Sequence, residues 1–416
     1  MYKNYLVTAW KVLNRRKFFT FISLFGISIT LAVLLVVSTV FDNYLFPKGP
    51  ESQNDKFLYI ETLSMTSKDG KSNWRSRPGY KFLDTNVIDM KTPEIISIFS
   101  NFSSTASYVD GEKFTSELRR TDANYWKVLN FNFVAGRQFD QQELNDGAMV
   151  AVINEKTRDN FFSTKEVIGK MLIFNEQSFK VIGVVKDVSI MEMQAYADVW
   201  VPYTTAPSTQ YQNDLMGGWN ALLYHSNPAM QKEMQLEYVN RLKNEFVTPD
   251  PERFHTAIGS ADTSFERLAR QFSGQDSYDS GSGQFAMLLI VLAICFMLLP
   301  SINLINLNIS RIMERSSEIG VRKAFGASTV QLVLQFIVEN ILITALGGLI
   351  GLLLSWLILN QIEFSGLMPG TEFKYNWRIF IYGFGLVFVF GLLSGAYPAF
   401  KMSRLNPVLA LKGGSN

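Results

Sequence analysis

Polar and apolar positions follow two regimes along this chain. Four runs carry no charged residue: Phe18–Phe41, Ser280–Ser310, Asn340–Ile362 and Ile379–Phe400. A helix rises about 1.5 Å per residue, so each run is long enough to cross a hydrocarbon core roughly 30 Å thick. The pattern predicts transmembrane helices over 18–41, 284–310, 340–362 and 379–400. Basic residues precede the first run, as they would a secretory signal. Signal cores are only about 7–15 residues long and end at a small-x-small site. This run is longer and lacks such a site, so it predicts an uncleaved anchor. Before it, Tyr2, Tyr5, Leu6, Ala9, Trp10 and Leu13 fall at helical spacing with most basic residues opposite. That arrangement predicts an amphipathic helix over 1–17 lying in the cytoplasmic interface.

Between the first and second runs the period shortens. Phe179, Val181, Gly183 and Val185 alternate with Lys180, Ile182, Val184 and Lys186, and Met149–Ile153 and Asp198–Tyr203 are short apolar runs between polar stretches. These predict strands. Asn227 before Pro228 starts a helix, with Met230, Met234, Tyr238, Leu242 and Phe246 on one face as far as Val247. Residues 250–284, rich in Ser, Gly and Asp, predict a polar connection with a helix around Phe265–Phe272. Residues 42–283 therefore predict a mixed α/β (α+β) domain inserted between the first two membrane helices.

Charge sets the orientation. Lys3, Lys11, Arg15, Arg16 and Lys17 precede the first run, Arg311, Arg315, Arg322 and Lys323 follow the second, and Lys401, Arg404 and Lys412 follow the fourth. Basic flanks stay in the cytoplasm. The loop 363–378 mixes Glu363 and Glu372 with Lys374 and Arg378 and faces outward. Both termini, including the tail 401–416, are then cytoplasmic, and the large insert is outside. The hydrophobic share of 47% against 18% charged fits a membrane protein. A net charge of +2 gives no support to nucleic-acid binding. The one cysteine, Cys295, lies in the second run, so the external domain must be held by its core without disulfides.

Catalytic chemistry is hard to find. Gly70-Lys71-Ser72 ends like a phosphate loop, but Met65 stands where the first glycine belongs. Ser273-Gly274-Gln275 echoes part of a transport-ATPase signature loop without its second glycine. His225 and His255 have no cysteine beside them, which argues against a metal centre, and G-x-S-x-G elbows are absent. The reading is a non-catalytic chain with no cofactor and no metal, whose energy comes from a partner.

The segment 311–339 differs from an ordinary membrane loop. Glu314-Arg315-Ser316-Ser317-Glu318-Ile319-Gly320-Val321-Arg322-Lys323-Ala324-Phe325-Gly326 combines both signs of charge with Ile312, Ile319 and Phe325 at near-helical spacing. Gly326 stands where a helix should stop, and Ser328 with Gln331 can form a capping box for the next one. A short charged helix between two spans suits docking of a soluble protein. Small-residue pairs Gly347/Gly351 and Gly391/Gly395 predict close helix packing, either at a subunit interface or within one subunit. Pro300 with Asn303, Asn306 and Asn308 predicts a kink and polar side chains low in the second span.

With the preceding Asn303-Leu304-Ile305-Asn306, this segment resembles the loop between the second and third spans of FtsX/MacB-type ABC transporter permeases. Tyr397-Pro398-Ala399 through Leu411 is similar to that family's closing motif. Gly136-Arg137-Gln138-Phe139, Val181-Ile182-Gly183-Val184 and Val199-Trp200-Val201-Pro202-Tyr203 are similar to its external domain. The resemblance implies a bacterial inner-membrane permease with four spans and an external domain of two subdomains, forming a homodimer or heterodimer. A separate ABC ATPase would bind Glu314, Arg315, Glu318, Ile319, Gly320, Arg322, Lys323, Phe325 and Gly326. Its closure would be relayed outward by mechanotransmission, with a periplasmic adaptor as a further partner. MacB itself carries a fused ATPase that is not seen here. Two functions stay open: export of a peptide, lipoprotein or small amphiphile, and regulation of an envelope enzyme such as a peptidoglycan hydrolase.

Overall fold

A computed structural model describes residues 14–15, 17–109, 112–174, 176–274, 277–314, 321, 325, 328–373 and 376–403. The interfacial helix expected over 1–17 and the tail 401–416 lie almost entirely outside these residues. The chain divides into a membrane unit, built from the residues up to Phe41, Met287–Leu367 and those from Phe373 onward, and an external unit of Asp42–Ala286 with Met368–Glu372.

Four long helices carry the apolar runs: Lys17–Leu45, Ser282–Glu314, Thr329–Phe364 and Trp377–Ser403. The first shows why an uncharged run becomes a span. Ile27, Leu31 and Leu35 face the other helices, where they meet Met297, Ile343 and Val387. Phe18, Phe21, Phe25, Ile29, Val33 and Val37 repeat every three or four residues on an exposed face. A helix apolar on both faces belongs in an apolar solvent. Of the four expected spans, two are long and apolar enough to cross a membrane among the described residues, Lys17–Leu45 and Val333–Phe364. The described apolar stretches of the others are shorter, Ser282–Leu298 and Trp377–Leu393. Beyond Leu298 the sequence turns to Pro300, Ser301, Asn303 and Asn306, which lowers its hydropathy.

The external unit is α/β. Its strands are β1 Phe57–Ile60, β2 Leu63–Thr66, β3 Asn73–Pro78, β4 Ile95–Ser100, β5 Ser103–Val109, β6 Glu112–Thr121, β7 Phe133–Gly136, β8 Val150–Asn154, β9 Met171–Phe174, β10 Gln177–Val185, β11 Val199–Pro202, β12 Met216–Gly217, β13 Trp219–Tyr224 and β14 Thr256–Gly259. Ten form one sheet in the order β1-β13-β4-β6-β11-β8-β10-β7, with β5 beside β6 and β9 beside β10. The other four form a second sheet, β12-β3-β2-β14. Pairing in the large sheet is antiparallel except at β6/β11 and β8/β10.

Side-chain alternation divides the core. In β1, Phe57 and Tyr59 enter a cluster with Trp126, Phe139 and Trp200. Leu58 and Ile60 point the other way, onto Met65 of the small sheet, Phe82, and Tyr238 of the helix Gln231–Asn244. Burial on both faces explains why β1 reads as an unbroken apolar run. A third cluster gathers Ala151, Ile153, Phe179, Val181 and Val199 at the far end of the large sheet. The external unit is thus two sheets sharing a core. β10 departs from simple alternation: from Val181 to Val185 every residue is buried, because Ile182 and Val185 enter one cluster and Val181 and Val184 another.

The expected helix after Asn227 begins as a 3₁₀ turn at Pro228–Met230, with Asn227 Oδ1 accepting the Ala229 N–H at 3.1 Å. The polar connection 250–284 hides β14, which pairs with β2. The two nucleotide-loop fragments have plain structural roles. Gly70 takes φ +67° in the tight turn joining β2 and β3, and Gly274 takes φ +63° to end the helix Ser264–Ser273.

Candidate functional site

The expected coupling segment is described only at its edges. Glu314 ends the second long helix. Arg315, Glu318, Ile319, Gly320, Arg322, Lys323 and Gly326 lie outside the described residues. The Phe325 N–H donates to the Val321 carbonyl at 3.1 Å, and the Phe325 side chain is 88% exposed. After it, Ser328 Oγ accepts the Gln331 N–H at 3.3 Å while Gln331 Oε1 accepts the Ser328 N–H at 3.1 Å. This capping box starts the third long helix at Thr329, satisfying donors that the helix cannot. Two turns in, Gln335 Nε2 donates to Glu339 Oε1 at 3.2 Å, and both are buried near Asn340 and Thr344. Sequence reading passed over Glu339 because it stands one residue before an apolar run.

The glycines lie inside the chain's own helix packing. A Cβ on Gly347 would meet Ile27 at 2.8 Å, and one on Gly351 would meet the Ser28 carbonyl oxygen at 2.9 Å. A Cβ on Gly348 would meet Phe384 at 2.6 Å, and one on Gly391 would press on the Thr344 side chain. The surroundings of Gly395 are outside the description. The third helix therefore lies backbone-close to the first, as small residues permit.

In the external unit, the segments nearest each chain crossing are tied together by buried polar groups. Entry from the first helix brings Gly49 and Glu51 to the loop 188–196. Glu51 accepts the N–H groups of Gln194 at 2.7 Å and Ala195 at 3.1 Å, and the Tyr59 hydroxyl at 2.8 Å. Glu192 accepts those of Gly49 at 3.1 Å and Glu51 at 2.7 Å. Burial first, then the neighbouring Glu51 charge, pushes the Glu192 carboxyl up to about 7 despite these donors. The Gln194 side chain also donates to Glu61.

The short passage 368–372 binds the same loop. The Ile190 N–H donates to the Pro369 carbonyl at 3.0 Å, and the Ser189 and Thr371 hydroxyls are 2.6 Å apart. Gly370, at φ +68°, lies so close to the Val188 carbonyl that a Cβ there would clash. On the exit side, helix Ser264–Ser273 places Arg267 against the entry. Its Nε donates to the Tyr44 hydroxyl at 3.0 Å, and its guanidinium stacks on Tyr44 and Tyr59 at 5.3 and 4.6 Å. Phe265 and Phe272 pack on Phe285, where the chain leaves the unit.

Arg119, on β6, secures the back of the loop. It is 1% exposed and donates to the carbonyls of Met193, Tyr196 and Ser100, with Phe99 and Phe102 beside its guanidinium. Hydrogen bonds to charged groups are worth about 1.5–3 kcal/mol each, so a pull on any crossing must break costly contacts or move the loop. Among the described residues no group of three or more His, Cys, Asp or Glu could hold a metal.

Residues 20–232 match the model of the MacB-like periplasmic core domain, and residues 290–407 match that of the FtsX-like permease C-terminal. The macrolide export ATP-binding/permease protein MacB of Vibrio parahaemolyticus is 25% identical over 423 residues, which cover 98% of this chain and 59% of that protein. The protein of that name from Escherichia coli K12 is 24% identical over 421 residues, covering 98% of this chain and 60% of the other. The chain thus spans about three-fifths of these relatives. The periplasmic region of MacB from Actinobacillus actinomycetemcomitans aligns with 52% of this chain and 93% of its own at 18% identity, with a TM-score of 0.36.

Proposed function

The chain belongs to the MacB/FtsX-type permease family, and from that membership we propose that it is the permease subunit of an ABC transporter in the bacterial inner membrane. It crosses the membrane four times, with both termini cytoplasmic and residues 42–283 outside. Ile290 and Ile294 on the second long helix and Ile381 and Val389 on the fourth are exposed apolar side chains that support these crossings. Energy comes from an ATPase outside this sequence, docked on Glu314–Gly326, with Phe325 as an apolar contact. Closure of the ATPase moves the membrane helices and, through them, the external unit.

The observation that carries this reading is the knot at loop 188–196. Residues 44–61, 264–285 and 368–372 all bind one another or that loop through buried groups, so motion at any crossing is delivered to one place. The subunit works as a homodimer or with a related permease. Its cargo is a peptide, lipoprotein or small amphiphile, passed to a periplasmic adaptor.

The test is co-purification with the cognate ATPase, alongside an export assay in cells. Glu318→Lys, a bulky residue at Gly320, and Phe325→Ala should each weaken association and export while the chain still inserts and folds. Normal association and export in all three variants would make this segment an ordinary cytoplasmic loop.

A further inference from the structure

The first, third and fourth long helices meet closely at glycines and part beyond them. A Cβ on Gly351 of the third would lie 2.9 Å from the Ser28 carbonyl oxygen, and one on Gly383 of the fourth would lie 3.1 Å from Leu35. Between Gly351 and Phe364 the third helix has no further glycine, nor has the fourth between Trp377 and Gly383. Larger side chains therefore hold the three helices apart over the stretch that leads, along the chain, toward the external unit. The gap is a cavity of about 330 Å³ lined by Leu35, Thr39, Leu352, Ser355, Leu359 and Phe380. Ligand pockets run from roughly 300 to 1,000 Å³ and are mostly apolar with a few polar groups, so this cavity has the size and lining of one.

The polar groups around it are engaged with the protein itself. Ser355 Oγ donates back to the Leu352 carbonyl at 2.8 Å, Asn376 Oδ1 accepts the Arg378 N–H at 3.1 Å, and Thr39 has an interaction of its own. No charged side chain is among the described lining residues. Hydrocarbon surface, not a polar pair, thus decides what fits. Trp356 and Trp377 also line the cavity yet are exposed, beside the exposed Leu353, Leu357 and Ile381. Its mouth therefore opens on the lipid-facing side of the bundle, and tryptophan is at home where membrane meets water.

We infer that this cavity holds one acyl chain of a bilayer phospholipid, with the headgroup toward Asn376 and Trp377. The bilayer supplies such chains at the mouth. A chain that enters from lipid gives up no hydration and gains the dispersion contacts of the cavity walls. The inference rests on the fourth helix lying in the membrane and needs no ATPase.

The test places the full chain in phosphatidylcholine nanodiscs doped with a phospholipid whose acyl chain carries a diazirine near its end, and maps the adducts by mass spectrometry. Adducts on Leu352, Leu359 or Phe380 are expected beside those on the outward Leu353 and Ile381. Ser355→Leu and Leu359→Phe fill the cavity at two heights. Each should remove the inner adducts, keep the outward ones and melt no lower than the wild type, a combination that misfolding cannot imitate. Outward adducts alone, or inner adducts that persist unchanged in both filled variants, overturn the proposal. Absence of the Ile381 adduct as well overturns the four-span reading together with it. A photoreactive residue at Leu359 that captures a second copy of the chain and no lipid makes the cavity a subunit contact and overturns it too.

Discussion

Glu192 accepts the backbone N–H of Glu51 at 2.7 Å, so two buried carboxylates are joined through the main chain of one of them. Glu51 in turn grips the loop two residues beyond Glu192, at Gln194 and Ala195. The pair locks the chain's entry into the external unit to the loop 188–196, and the lock carries an electrostatic cost.

That cost depends on pH. The Glu192 carboxyl stands at about 7 in the folded protein against an ordinary 4.5. Between these values the folded state holds a proton that the unfolded chain releases, so stability falls as pH rises and then levels off above about 7. Asp122, pushed up to about 6 by burial, acts in the same direction at lower pH. Glu192 alone should account for roughly 2–4 kcal/mol. Urea midpoints measured from pH 5 to pH 8 should fall more steeply in the wild type than in Glu192→Gln. Equal slopes would show that Glu192 ionises normally.

Arg119 holds three carbonyls and, among the described residues, has no hydrogen-bonded carboxylate partner. Arg119→Met keeps the bulk but leaves those carbonyls buried and unpaired, at about 1–3 kcal/mol each. The external unit should melt well below the wild type and expose the loop 188–196 to limited proteolysis. Lysine should rescue little, since one ammonium cannot match the planar fork.

Gly351 lies against the first helix, and Gly385 has nothing within 4 Å of where a Cβ would be. Gly351→Val should therefore force two helix backbones apart and cost about 1–3 kcal/mol. Gly385→Ala should be close to neutral. Thermal unfolding in detergent distinguishes them, and similar responses of the two would show that the close packing at Gly351 does not decide stability.

Topology can be read with single cysteines in a Cys295→Ser background. Lys165→Cys and Lys243→Cys, both on exposed positions of the external unit, should react with an impermeant maleimide from outside in intact spheroplasts. Reaction only after the cytoplasmic side is opened would reverse the orientation argued from the basic flanks.

Periodicity made some elements legible and hid others. The long apolar helices, β8, β10, β11 and the helix Gln231–Asn244 announce themselves because their burial is periodic or continuous. β14 does not: Thr256–Gly259 offers two apolar side chains within a polar stretch, and only its pairing with β2 makes it a strand. The motif fragments set aside in the sequence have a backbone role instead, since Gly70 and Gly274 take positive φ. The knot was invisible because Glu51 and Glu192 are 141 residues apart along the chain. Nothing in a local window marks a glutamate as buried. The capping box at Ser328 and Gln331 is local, and the sequence reading reached it.

The tie between Ser189 and Thr371 also bears on biosynthesis. Residues 368–372 leave the ribosome only after the third long helix, yet they close the external unit by pairing with residues 188–190, made 182 positions earlier. The external unit therefore cannot finish folding in order of synthesis. Its sheets can form once β14 has emerged, but the loop 188–196 stays open on one side until the third long helix and the few residues after it have been made. An arrested chain ending before Met368 would present that loop without its clasp, so the external unit is completed only by residues made after a long helix of the other unit.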